Sequence, residues 1–163
     1  LQYLFGAGVR IVPLLCGAFS GGMRGGSEPP GCKPDDDEGV KRTIAALGEI
    51  AAREGDRLAW ILGVDMAHMG RRYGDGFEAI AQRGEMEVVA RRDASRMERM
   101  QQGDAAGFWE QVSENGDDLK WCGAAPIYTF LRAIPEIRGT LLQYQQWNID
   151  PHSVVSFAGM KFT

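Results

Sequence analysis

Glycine divides this chain into short pieces. Twenty-two of its 163 residues are glycine, nearly twice the ordinary ~7% share, and many stand at the ends of apolar runs, where turns belong. The pieces between them read as single strands or helices. Val9–Leu15, bounded by Gly8 and Gly17, reads as a short buried strand with Pro13 at an edge or bulge. A helix is expected from a cap at Asp37 to about Glu54, because Val40, Ile44, Leu47 and Ala51 share one face of a 3.6-residue period. Arg57–Val64 is nearly continuous apolar chain, which predicts an interior strand of a parallel sheet. Glu85–Gln101 repeats the helical period with Met86, Val89, Ala90, Met97 and Met100 inward, and places Asp93 on that same face.

Phe108, Trp109 and Val112 mark a short amphipathic helix. Ile127, Phe130, Leu131 and Ile134 mark another, opened near Pro126 and stopped by Pro135. Two strands, Thr140–Trp147 and Ser153–Phe162, close the sequence around the turn Asn148–His152. The fold class that follows is α/β, a mixed sheet with helices on its faces. No repeat or linker divides residues 1–163, so one domain is expected, with residues 20–37, rich in Gly and Pro, as a flexible loop. Leu1–Gly6 has neither an initiator Met nor the basic and small-residue marks of a signal peptide. It reads as a helix end running straight into a strand, and hence as the C-terminal portion of a longer domain.

Charge and cysteine usage narrow the function. A net charge of −4 with pI near 5.2 excludes a general nucleic-acid binder, which needs a basic stripe to replace counterions along phosphates. No apolar stretch approaches the ~20 residues of a membrane span. Three cysteines without paired spacing fit a reducing, cytoplasmic setting.

The residues able to carry chemistry are few. The chain has two histidines, His68 and His152, and no zinc-protease, Cys-x-x-Cys, nucleophile-elbow or phosphate-loop motif. Asp65 and His68 stand just past the Arg57–Val64 run, where open α/β sheets place ligands. Such a pair co-ligates a metal, fixes the ring's tautomer, or is a locally satisfied strand-end turn. Cys122 precedes Gly123 and a helix start, a position that lowers a thiol's pKa; a buried structural thiol is the alternative. Cys16 reads as core and Cys32 as an exposed loop thiol. Arg71, Arg72 and Tyr73 follow His68 as a rim that binds an anion or is plain solvated loop. Asp93, too costly to bury alone, calls for an Arg or a backbone amide beside it. Asp150 and His152 read as exposed. No residue takes a catalytic role on this reading.

Several segments together resemble one family. Gly63-Val-Asp-Met-Ala-His-Met-Gly-Arg-Arg-Tyr-Gly-Asp75 is similar to the Asp-x-x-His-x-Gly segment of the Memo-like proteins, called AmmeMemoRadiSam system protein B in microbes. Trp121-Cys-Gly-Ala-Ala-Pro-Ile127 resembles their Cys-Gly-x-x-Pro-Ile helix start. Leu1–Gly6 with Ile11–Gly17, and the closing Leu142–Tyr144 and Val155–Ala158 strands, fit in the same order. The resemblance implies a fold similar to class III extradiol dioxygenases, which are non-haem iron enzymes, usually without demonstrated catalysis. It also implies a cleft whose histidines and cysteine bind copper or iron. At the matching positions the metal residues are His68 and Cys122, with Asp65 beside them; the family's other cleft histidines precede Leu1. Partners implied are a peptide or protein, phosphotyrosine peptides in the animal relatives, and a radical SAM protein by functional association. The alternative reading is a non-catalytic binding module built on a degenerate dioxygenase-like cleft. An active iron dioxygenase ranks last, since it needs two histidines and a carboxylate.

Overall fold

The first long helix begins where a side chain can cap it. Asp37 accepts hydrogen bonds from the Gly39 and Val40 amides at 2.7 and 2.9 Å, satisfying donors that a helix start leaves free. A computed structural model describes residues 1–19 and 33–163 of the chain. In chain order it contains α1 (Gln2–Phe5), α2 (Glu38–Glu54), β1 (His68–Gly70), α3 (Glu85–Gln101), α4 (Ala105–Ser113), α5 (Ala124–Ala133), β2 (Gly139–Asp150) and β3 (Ser153–Phe162), with 3-10 turns between some of them. Helices α2 and α3 span the stretches their apolar periods predict. Helix α5 starts two residues before Pro126, which then occupies its first turn.

The sheet has three strands in the order β1-β3-β2. Both pairings are antiparallel, and the β2–β3 hairpin is the predicted one. His68 is paired with Val155, and Val155 with Trp147 on the other side, so these three residues form one row across the sheet. The neighbouring row, Met69, Val154 and Asn148, faces the core, where Val154 is fully buried. Met86, Phe108, Val112, Trp121, Tyr128 and Leu131 fill the space between that face and helices α3, α4 and α5. Burying side chains of this size contributes roughly 1.5–3 kcal/mol each.

Two expected strands are absent. Val9–Leu15 joins no ladder among the described residues and is exposed along nearly its whole length, so the expected sheet position does not hold. Arg57–Val64 is not an interior parallel strand either. It is extended chain on which Trp60, Leu62 and Val64 turn inward while Ile61 stays outside, and Trp60 packs on Phe130 of α5 at 6.0 Å. An apolar run predicts burial, yet none of these residues is fully buried, Leu58 and Ile61 are exposed, and a helix surface covers one side of the run in part. The observed sheet is accordingly antiparallel, not mixed. Cys16 is exposed rather than core. Cys32 and most of the expected 20–37 loop lie outside the described residues. Among the described residues, no helix is long and apolar enough to cross a membrane.

Candidate metal centre

Asp65, His68 and Cys122 converge. One potential ligand atom from each, a carboxylate oxygen, an imidazole nitrogen and the thiol sulfur, all lie within 4.8 Å of one another. Two stretches of chain lying side by side bring this about. Met66 donates its amide to Ser156 O at 2.9 Å, and Ser156 returns a bond to Ala67 O at 2.9 Å, which extends the β1–β3 pairing back toward Asp65. On the other flank His68 N donates to Leu119 O at 2.9 Å and Gly123 N to Asp65 O at 3.1 Å. The approach at Gly123 is too close for a side chain: a Cβ there would stand 2.6 Å from Asp65 O and 2.9 Å from Val64 Cγ2. Gly70, at φ +104, is equally constrained, since a Cβ would collide with the His152 carbonyl.

The imidazole is oriented by two carbonyls. His68 Nδ1 lies 3.0 Å from Met66 O and 3.1 Å from Lys120 O. Both partners accept only, so in the neutral ring Nδ1 carries the proton and Nε2 offers its lone pair. Nε2 is 3.9 Å from Asp65 Oδ2. Tyr73 stands edge-on to the ring, centroids 4.9 Å apart. Burial raises the Tyr73 phenol above its ordinary value, and the neighbouring Arg72 charge offsets this only in part.

The thiol departs from expectation. Cys122 sits two residues ahead of α5, yet burial raises its pKa and the Asp65 charge adds to the rise, against the lowering from its hydrogen bond to Asp65 O. These causes run against the lowering expected of a helix end. A bare thiolate is therefore disfavoured, and a cation would have to displace its proton. Behind it, Trp121 is held by Asp117 Oδ1 through its amide at 3.0 Å and by Asp93 Oδ1 through its indole N–H at 2.9 Å. The carboxylate expected to find an Arg or an amide has the buried Arg96 charge near it, while its hydrogen bonds come from the indole and, at 2.8 Å, the Tyr144 hydroxyl.

A pocket of about 300 Å³ opens over the centre, lined by His68, Arg72, Tyr73, Lys120 and Cys122. Of the three rim residues, Arg72 and Tyr73 line it; Arg71 instead pairs with Glu78 at 3.7 Å. No ion pair forms on the Arg72 guanidinium among the described residues, although its amide donates to Ser153 Oγ at 3.1 Å. His152 is exposed and Asp150 half-buried at the hairpin turn, so neither belongs to the centre. Sequence reasoning gave no role to Lys120 and Asp75, which form a largely buried ion pair at 2.7 Å beside the pocket. The Tyr73-Gly-Asp-Gly76 context, an acid in a tight loop returning toward its own strand, was the signal available for Asp75. Nothing in composition marks Lys120, whose φ of +54 is a left-handed conformation imposed by the turn around it.

The donor set fits a transition metal. Imidazole, thiolate and carboxylate suit copper, iron or zinc, whose bonds of about 2.0–2.3 Å place tetrahedral ligand atoms roughly 3.3–3.8 Å apart, so the widest of these separations would close by about 1 Å on binding. A profile of the family described as Memo-like protein matches residues 35–161. No curated protein matches the chain. The matched stretch covers most of the sequence and includes Asp65, His68 and Cys122, so the chain belongs to the Memo-like protein family.

Proposed function

We propose that the cleft binds a redox metal, copper or iron, through His68 Nε2, the Cys122 thiolate and an Asp65 carboxylate oxygen. The single observation that carries this reading is the convergence of three chemically suited donor atoms within 4.8 Å, on an imidazole whose tautomer already leaves Nε2 free to coordinate. Such a metal would supply one-electron chemistry. Between the two candidates, nitrogen and sulfur donors favour copper by the usual affinity order. Asp65, with 56% of its side chain accessible against 16% for His68, makes the weaker contribution of the two. The same reading takes the fold as a relative of the class III extradiol dioxygenases and the chain as an AmmeMemoRadiSam system protein B associated with a radical SAM protein. The order and spacing of the matching segments support it. A dioxygenase reaction is the least favoured extension, since one imidazole rather than two stands beside the carboxylate.

Metal titration of the purified chain tests the proposal. The wild type is expected to take up about one copper or iron ion, and His68→Ala and Cys122→Ser to weaken binding at least tenfold. Equal metal content in all three overturns it.

A second reading rests on Arg72. A guanidinium at a pocket wall that makes no ion pair within 4 Å among the described residues, with the Asp150 charge its nearby carboxylate, suits an anionic peptide group, so the cleft is also read as a peptide-docking surface. With a phosphotyrosine peptide as probe, Arg72→Glu abolishes binding and leaves metal content unchanged on this reading; peptide binding indifferent to Arg72→Glu removes it.

A further inference from the structure

Lys120 and Asp75 supply none of the three donor atoms, yet they close a chain of contacts onto the His68 imidazole. Asp75 Oδ2 accepts the Gly70 amide at 2.8 Å, and Gly70 ends the strand that begins at His68. Asp75 Oδ1 holds the Lys120 ammonium at 2.7 Å, with 17% and 15% of the two side chains accessible. Lys120, in turn, has the left-handed backbone that presents its carbonyl to His68 Nδ1 at 3.1 Å. Left to itself a lysine avoids that conformation. The Lys120 N–H bond to Asp117 O, at 2.9 Å, holds the turn from the other side.

We propose that the Asp75–Lys120 ion pair is a positioning device that locks the Lys120 carbonyl onto His68 Nδ1 and so fixes the tautomer that leaves Nε2 free for a metal. Its value to the site rests on the metal reading above; its effect on the ring does not. Ion pair, left-handed turn and carbonyl act as one unit. Loss of either charge frees the turn to relax and withdraws one of the two carbonyls on Nδ1; Met66 O, at 3.0 Å, remains, so part of the proton population redistributes to Nε2, where it blocks coordination. Asp75→Asn is the milder probe, because the amide oxygen still accepts from Gly70 while the charge is gone. Lys120→Met removes the other partner, and Lys120→Arg restores the pair.

The test is a long-range proton–nitrogen NMR correlation of the imidazole in apo protein. It is run in a His152→Gln background, which leaves one histidine in the chain, at about pH 8.5, above the ordinary imidazole range. The parent and Lys120→Arg are expected to show the Nδ1–H tautomer. Asp75→Asn and Lys120→Met are expected to show a mixture enriched in Nε2–H, with copper affinity down about tenfold. An unchanged tautomer in the folded Asp75→Asn and Lys120→Met proteins overturns the proposal. So does unfolding of both while Lys120→Arg folds, for the pair would then serve the fold and not the ring. If the tautomer shifts as expected but the parent binds no copper, the metal reading fails and the positioning role stands.

Discussion

Asp93 illustrates how one residue's chemistry reaches the site through its neighbours. It is fully buried, and burial raises its carboxyl above the ordinary aspartate range despite the bonds from Ser156, Tyr144 and Trp121 that oppose the rise. The same burial, with the Asp93 charge, pushes the Tyr144 phenol far up, so that it stays a donor. Arg96, also buried, lies over the Trp121 ring at 5.8 Å. Asp93→Ala leaves an indole N–H and a phenol without acceptors, and is expected to cost about 2–4 kcal/mol in urea denaturation at neutral pH. Asp93→Asn keeps one acceptor and is expected to cost clearly less. The sequence announced the problem, a carboxylate on an apolar helical face, but not its solution. Trp121 and Tyr144 lie 28 and 51 residues further along the chain, and helical periodicity is blind to distances of that order.

At the scale of elements, helix α5 and the turn before it set the site. Gly123 lets the helix start lie against Val64 and Asp65, which brings the Cys122 sulfur to 3.5 Å from Asp65 O. Gly123→Ala must push the two stretches apart, and we expect a loss of about 1–3 kcal/mol in stability together with a fall of more than tenfold in copper affinity. Alanine at the exposed, positive-φ Gly74, which has open space around it, should leave copper affinity unchanged and controls for backbone strain alone. Legibility divides along the same line. Helices α2, α3 and α5 and the β2–β3 hairpin could be read from periodicity, caps and prolines, since each depends on neighbours close in sequence. Asp65 and His68 could be paired because they lie three positions apart, although the strand end assumed for them is absent, and Cys122 is marked by its place before a helix. Arg57–Val64 could not be read, because its apolar residues suggest a covered strand while the chain there is unpaired and largely exposed. The left-handed turn at Lys120 has no sequence mark at all.

Across the whole molecule, carboxylates set the response to acid. Asp118 accepts two hydrogen bonds from Arg92, at 2.7 and 2.8 Å, and Asp35 accepts from Arg132 at 2.6 Å and from Tyr128. Burial would raise both carboxyls, but these partners outweigh it and hold them below the ordinary value, about 3.9 when unfolded. A carboxylate lowered on folding contributes stability that is complete above the unfolded value and lost as pH falls through the folded one. Asp93 has the opposite sign, so its contribution is present at low pH and lost as pH rises through its raised value. The urea midpoint is therefore expected to fall between about pH 5 and pH 3, and the fall to shrink in the Asp35→Asn/Asp118→Asn double variant. An equal fall in both proteins would place the acid sensitivity elsewhere.

The strand order carries a consequence for how the molecule is made. β3 is last of the three in sequence but lies between the other two, and His68 has Val155 as its partner in register. During synthesis the imidazole and the thiol both leave the ribosome before the strand that pairs with the imidazole's segment exists. Any message that stops short of residue 153 yields a polypeptide with all three donor residues but without the strand that pairs with His68–Gly70.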